Sequence, residues 1–478
     1  MKNILLILVS ILLTSLIYAQ NETEKSNSSQ ANLQIRVKIE NYPYDIIQLG
    51  YHFNNRQYLT PDAITKTDTI YKQPDGFFVI NIKEPIKPGI YLLIVQPNNN
   101  YSEILITQND RNIEISSDYN NLIESMQFDA GSFENRLFYD YLKFIQKKKE
   151  EVKALPQDEI NSGQSDKTMS INDEVSAYQN DIIKVHPNSF TAALIKSTLT
   201  VKIPEFEGSE MDKQNKRFYY YRQHYFDNID LTDPRMVRTP ILFNSVENYI
   251  NKLQVQHPDS ISNAIDFVLK KMEPSEETYK NYVVHFLNKY AESKIMGMDA
   301  VYVHMADNYY AKGKTPWIDE AQLQKILKKS NAIKPTLIGK VAPNMALESN
   351  NGFKFDLHDI KSKYTLLFFW NDNCGLCAKS IKDLIEVNDK LENLDVELVA
   401  ICTRNAEEVK NCWDYATNWK INEWFHVKVD SENDLVSSTY NFTSSKPKIF
   451  VLDSNKNIIG KNLGADQIVD FLIKFNKN

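Results

Sequence analysis

The chain has 478 residues and a formal net charge of −7, more than one hydrophobic core normally serves, so two to four domains of about 100–200 residues are expected. Its 55 Lys and Arg residues are spread along the chain rather than gathered in blocks, which gives a nucleic-acid-binding reading no support. All four cysteines fall between positions 374 and 412, a distribution unlike that of a disulfide-stapled scaffold.

Residues 1–19 read as an export signal: Lys2, an apolar stretch over residues 4–17, then Tyr18-Ala19-Gln20 with cleavage after Ala19. An uncleaved membrane anchor is the alternative, because Ile17 is bulky for its position and the uncharged stretch reaches Asn21. Both readings place the rest of the protein in an extracytoplasmic compartment, periplasmic or elsewhere in the cell envelope. Residues 20–31, rich in Asn, Ser and Glu, predict a flexible leader.

From Leu33 to Glu40 apolar and polar residues alternate, the period of a strand with one buried face. Strand-like runs follow at residues 46–53, 76–82, 90–96, 103–107 and 112–116. Gln73-Pro74-Asp75-Gly76 and Lys87-Pro88-Gly89 supply turn chemistry between them. Residues 32–125 are expected to form an antiparallel β-sandwich without a catalytic constellation.

Between residues 130 and 335 the periodicity becomes helical, with segments at 135–154, 189–199, 212–225, 260–272, 276–293 and 299–311. Residues 156–170, polar around Asn161-Ser162-Gly163, predict an exposed loop. His186, His224, His257, His285 and His304 lie in this α-helical middle domain, but none pairs at metal-ligand spacing, so no metal site is expected.

The last unit, residues 336–478, carries the chemistry. An apolar run, Leu366-Leu367-Phe368-Phe369, ends in Trp370-Asn371-Asp372-Asn373-Cys374-Gly375-Leu376-Cys377, and Ile381, Leu384, Ile385 and Leu391 then repeat at helical spacing. The two cysteines therefore sit at a strand-to-helix turn, where partial positive charge and free N–H groups favour a thiolate. Cys374 is the expected attacking sulfur, and Cys377, one turn on, the sulfur that resolves a mixed disulfide. A zinc site needs two further ligands, and Cys402 and Cys412, ten residues apart, are a poor second pair. They read as packing residues with no catalytic role; whether they pair is open from sequence. Strands at 396–401, 448–452 and 457–460 and helices at 406–419 and 465–475 complete an order of strand, helix, strand, helix, two strands, helix. That order gives a central parallel sheet with an antiparallel edge.

With these residues in view the unit resembles the thioredoxin superfamily, specifically the exported TlpA/ResA-like thiol-disulfide oxidoreductases. The likeness rests on Gly339…Ala342-Pro343, Gly352, Leu357, Lys363-Tyr364, Phe369-Trp370…Cys374-x-x-Cys377 and Pro447. It implies a C-terminal α/β thioredoxin-like fold, Trp370 shielding the dithiol, and a cis-proline at Pro447 that shapes a substrate groove. It also implies protein disulfides as substrates and a thiol electron donor, membrane-associated or soluble, with apocytochrome c maturation as one pathway; no cofactor is implied. Three positions depart from it. Phe368 stands where many members have a buried acid, Asn405 and Ser380 stand where some have acids, and Lys446 precedes Pro447 in place of a small or β-branched residue. If Pro447 faces the dithiol, Lys446 puts a cation near Cys374.

Two other functions compete with an exported oxidoreductase. One is an extracytoplasmic binding or assembly protein that uses the thioredoxin-like unit for docking, which would give the long extension its purpose. The other is a peroxiredoxin, which the Trp370-Asn371-Asp372-Asn373 lead-in does not support because it lacks the threonine that assists a peroxidatic cysteine.

Overall fold

The computed structural model describes residues 33–83, 87–157, 165–405, 407–429, 439–442 and 446–477. The expected signal and leader lie outside them. Among the described residues no helix is long and apolar enough to cross a membrane. The chain divides into two compact units, Met1–Tyr249 with Lys271–Thr278, and Ile250–Lys270 with Tyr279–Asn478. The helical run is thus shared between them.

Among the described residues of the first unit nine strands form two sheets. One sheet contains β1 (Leu33–Glu40), β5 (Phe78–Ile82), β8 (Asn112–Asp118) and β9 (Gln127–Phe128) in the order β5-β1-β8-β9. The other has the order β3-β2-β6-β7, from β2 (Ile46–Phe53), β3 (Arg56–Leu59), β6 (Gly89–Val95) and β7 (Asn100–Ile106), with β4 (Ile70–Tyr71) against β2. The alternation seen in β1 buries Leu33, Ile35, Val37 and Ile39 on one face. The wholly antiparallel expectation needs one correction, since β1 and β8 run parallel, with Ile35 beside Ile113 and Val37 beside Ile115. A parallel pair needs a long connection, and the whole second sheet lies between these two strands in sequence.

Helices α1 (Phe133–Lys153), α2 (Asp166–Val185), α3 (Phe190–Ser197), α4 (Glu210–His224) and α5 (Pro240–Lys252) follow. Helix α2 begins inside the stretch read as a loop, because the Ser165 hydroxyl caps it by accepting the Thr168 N–H at 3.2 Å. Further along are α6 (Pro258–Met272), α7 (Glu276–Ala291), α8 (Asp299–Met305) and α9 (Glu320–Ile333). A π-helical turn at Ala306–Tyr310 extends α8.

The second unit contains a seven-stranded sheet in the order β11-β10-β14-β13-β12-β15-β16. Its strands are β10 (Ala346–Ser349), β11 (Lys354–Asp356), β12 (Tyr364–Trp370), β13 (Val396–Cys402), β14 (Phe425–Val429), β15 (Lys448–Asp453) and β16 (Ile458–Lys461). The β12–β13 and β13–β14 pairs are parallel, and β15 runs antiparallel to β12. Every residue of β12 is buried, as a strand covered on both faces must be. Alternate side chains divide between two cores. Tyr364, Leu366, Phe368 and Trp370 face a cluster with α10 (Gly375–Asn393), α11 (Val409–Asn418) and α12 (Ile468–Phe475), whereas Leu367 and Phe369 join Val399, Ile401, Phe450 and Leu452 on the other side.

Candidate redox site

The apolar strand β12 ends at Trp370, and after three intervening residues Cys374 is the N-cap of α10. Its backbone is extended, and its Sγ accepts the Cys377 N–H at 3.1 Å. The helix thus offers one of its unpaired N–H groups to sulfur, the interaction that stabilises a thiolate at a helix start. Cys374 and Cys377 form a disulfide with Cα atoms 5.1 Å apart. Both sulfurs belong to the buried cluster, at 4% and 1% exposure, while Leu376 between them is 54% exposed. The pair is therefore buried beneath exposed neighbours, Asn373, Gly375 and Leu376.

Trp370 is buried in the same cluster, its ring 5.6 Å from that of Tyr415 and 6.4 Å from that of His426. Its indole N–H is buried without a protein partner among the described residues. Phe368 is fully buried, so no acid lies beneath the dithiol at that position. Asn405 starts α11: its side chain accepts the Glu408 N–H at 2.9 Å and its carbonyl accepts the Val409 N–H at 3.0 Å.

Pro447 precedes the Phe369–Lys448 pair of the β12–β15 ladder by one residue, which sets it level with Trp370 at the end of β12. It is half-buried, and Lys446 is exposed and forms no ion pair among the described residues. The cis peptide bond recorded among the described residues precedes Pro97, not Pro447. The expected cis bond at Pro447 is therefore corrected to the trans form that X–Pro bonds adopt by default.

One feature was left open by the sequence and two were missed. Cys402 and Cys412, whose pairing was open, form a second disulfide, with Cα atoms 6.3 Å apart, and Cys402 stands beside Trp370 in the β12–β13 ladder. The first missed feature is a salt bridge: Arg404 Nε lies 2.8 Å from Asp372 Oδ1 and Nη2 lies 3.3 Å from Oδ2, a two-pronged pairing. The signal available was Asp372 itself, a carboxylate next to a reactive sulfur that calls for a cation. His426 on β14 was also missed. Its Nε2–H donates to the Ile421 carbonyl at 2.7 Å, and burial pushes its pKa below the usual histidine value.

Residues 338–461 match the AhpC/TSA family, and residues 157–334 match a domain of unknown function, DUF5106. The chain is 29% identical over 141 residues to the thiol-disulfide oxidoreductase ResA of Bacillus cereus (strain ZK / E33L), covering 29% of this chain and 78% of that protein. The C-terminal domain belongs to the thioredoxin superfamily, in its TlpA/ResA-like branch. It is a thiol-disulfide oxidoreductase domain. The ResA of Bacillus subtilis (strain 168) is 35% identical over 63 residues, covering 13% of this chain and 35% of that protein. Among solved structures, a thioredoxin-like protein from Bacteroides caccae ATCC 43185 covers 58% of this chain and 99% of its own at 16% identity and a TM-score of 0.44. A domain of a possible thiol-disulfide isomerase from Cytophaga hutchinsonii ATCC 33406 is 32% identical, covering 30% of this chain and 94% of its own at a TM-score of 0.27.

Proposed function

We propose that the protein is an exported thiol-disulfide oxidoreductase that exchanges or reduces disulfides in extracytoplasmic proteins through Cys374 and Cys377. The observation that carries this reading is the Cys374 sulfur at the N-cap of α10, accepting the Cys377 N–H at 3.1 Å. In the reduced state Cys374 is the thiolate. It attacks one sulfur of a substrate disulfide, and the other substrate sulfur leaves with the electron pair and takes a proton. Cys377 loses its proton, attacks the Cys374 sulfur of the mixed disulfide and expels the second substrate thiolate. Two electrons pass to the substrate, and the Cys374–Cys377 disulfide remains for a thiol donor, membrane-associated or soluble, to reduce; the reverse sequence oxidises a dithiol.

Trp370 covers the dithiol from the core side, and Pro447 with Lys446 flanks the approach to it at the end of β12. Residues 1–19 direct export and 20–31 space the folded part from the membrane. The proposed domain limits are 32–125, 130–335 and 336–478, with the two N-terminal sheets stacked as a sandwich through their buried faces. A second reading, a binding or assembly protein that docks through the thioredoxin-like unit, is favoured by one fact: the ResA likeness covers 29% of the chain.

An equilibrium redox titration of the chain in thiol/disulfide buffers, followed by tryptophan fluorescence with Cys374→Ser as control, separates the two. A Cys374-dependent two-electron transition near about −270 mV marks a reductase and one near about −120 mV an oxidant. No such transition leaves the docking reading.

A further inference from the structure

The turn Asn371-Asp372-Asn373 between β12 and the dithiol carries a negative charge two residues from Cys374. That charge opposes formation of a thiolate there, since two residues span about 7 Å at most. The structure places Arg404 against it, with Nε at 2.8 Å from Oδ1 and Nη2 at 3.3 Å from Oδ2, and with the Arg404 and Asp372 side chains 21% and 19% exposed. The carboxylate in turn holds the Arg404 guanidinium above its ordinary range. Asp372 is felt at a second neighbour as well: Tyr415 has a raised pKa, first through burial and then through the Asp372 charge.

The segment bearing Arg404 is fixed at both ends. Cys402, two residues earlier, is bonded to Cys412 on α11, and Cys412 Sγ lies 4.0 Å from Asp372 Oδ1. Glu408 takes Arg404 Nη1 at 3.1 Å from the other side. The same segment also grips the turn directly. The Thr403 N–H and hydroxyl both donate to the Trp370 carbonyl, at 2.9 and 3.1 Å, and Asn371 Nδ2 donates to Thr403 Oγ1 at 3.4 Å. The Asn371 side chain then accepts the Asn373 N–H at 3.0 Å. An arginine is thereby locked onto the dithiol turn rather than left to sweep through solvent.

We infer that Arg404 is a positioning residue for the exchange reaction: by neutralising Asp372 it keeps the Cys374 thiolate formed on reduction free of a repelling charge, and the Cys402–Cys412 disulfide holds Arg404 in register for this task. The inference rests on the reading of Cys374 as the attacking sulfur. The charged and titratable groups around the turn are Asp372, Arg404, Glu408 and Tyr415, with His426 packed against Trp370 from β14 and Lys446 next to Pro447 at the end of β12; of these, Asp372 is the charge nearest Cys374 along the chain.

The test is a charge ladder on the reduced full chain, reading the Cys374 pKa from the pH dependence of iodoacetamide alkylation at that residue and the potential from glutathione equilibration. Arg404→Met raises the Cys374 pKa by about 0.5–1 pH unit, the size of one half-screened charge at about 7 Å. It also shifts the equilibrium toward the disulfide by up to about tenfold, equal to about 30 mV more negative. Asp372→Asn, which leaves Arg404 facing the turn, lowers the pKa. Arg404→Met combined with Asp372→Asn returns both values close to wild type, which lost anchoring alone would not do. A double variant displaced as far as Arg404→Met overturns the inference, as does an unchanged pKa in Arg404→Met. Should Arg404→Met not fold, Asp372→Asn decides alone, an unchanged or raised value overturning it. The absence of any Cys374-dependent transition in the wild-type chain instead removes the oxidoreductase reading, so the two failures are separately visible.

Discussion

Two disulfides share one buried cluster of the C-terminal domain, and they differ in what surrounds the sulfur. Cys374 caps a helix and receives a backbone N–H, with an exposed edge at Leu376 beside it. Cys402 and Cys412 are equally buried, at 2% and 0% exposure, but they join the end of β13 to the middle of α11, where the helical N–H groups are already engaged. Burial is common to both pairs. The helix start and the open edge belong to one of them, and those are the features that make a sulfur a nucleophile.

The sharpest way to break this comparison is to remove one sulfur from each pair and measure exchange. Cys374→Ser is expected to abolish reduction of a model protein disulfide, a loss of at least about 10³-fold, because the attacking atom is gone. Cys377→Ser retains the attack but accumulates the mixed disulfide, visible as a covalent adduct by mass spectrometry. Equal loss of exchange in a Cys402→Ala/Cys412→Ala variant would erase the distinction between the pairs.

How much of this was legible from residues depends on the range of the interaction. Strand β2 was placed at both ends by its apolar run, and the Cys374-x-x-Cys377 turn by the change from a buried strand to a helical period, since both signals are local. Helix α2 was not, because its polar sequence and the nearby Asn161-Ser162-Gly163 mimic a loop, and the Ser165 cap is weak against them. Strand β14, Phe-His-Val-Lys-Val, is five residues long and carries His426 at a buried position, so its pattern reads as neither strand nor helix. The parallel β1–β8 pairing, the Cys402–Cys412 bond and the Asp372–Arg404 salt bridge join residues far apart in sequence. No periodicity announces such contacts.

Lysine tests whether burial alone, without the helix start, confers chemistry. Lys448 projects on the face of Phe450, opposite the dithiol cluster, and donates to the Asn441 carbonyl at 3.1 Å. Burial lowers its pKa to about 8, helped by the nearby Lys461 charge. Between pH 8 and the ordinary lysine value of 10.5 the unfolded chain holds a proton that the folded chain has released, so stability rises with pH. The slope approaches ~1.4 kcal/mol per pH unit, and up to ~3 kcal/mol accumulates across the window. Urea unfolding of wild type and Lys448→Met, followed by tryptophan fluorescence, measures this as a difference that narrows as pH rises from 8 to 10.5. Tyrosines titrate in both proteins and cancel. All five tryptophans lie between residues 317 and 424, so the signal comes from the second compact unit.

The second disulfide should matter more to folding than to turnover. It closes a loop over a sequence separation of 10, which the chain-entropy account values at about 2–3 kcal/mol. The Cys402→Ala/Cys412→Ala variant is expected to lose that much stability in the same urea assay and to keep exchange within about tenfold of wild type. The residual decrease reports how far Arg404 is released from Asp372.

The smallest effect concerns His426, which lies 4% exposed in the dithiol's own cluster, among Trp370, Trp413 and Trp424. Its proximity to Trp370 would make it a proton store for the thiols if location sufficed. Its environment argues otherwise: Nε2–H is committed to the Ile421 carbonyl, and burial keeps the ring neutral by pushing its pKa below 6.5. As pH falls below 6.5 the unfolded chain takes up a proton that the folded ring refuses, so the folded state loses stability, with a slope that approaches ~1.4 kcal/mol per pH unit. Below the folded pKa both states are protonated and the loss levels off. His426→Gln should flatten this acid limb in urea unfolding while leaving the Cys374 pKa and the pH profile of exchange in place. A shift in the exchange profile would instead make His426 a proton partner of the dithiol, filling the position that Phe368 leaves without an acid.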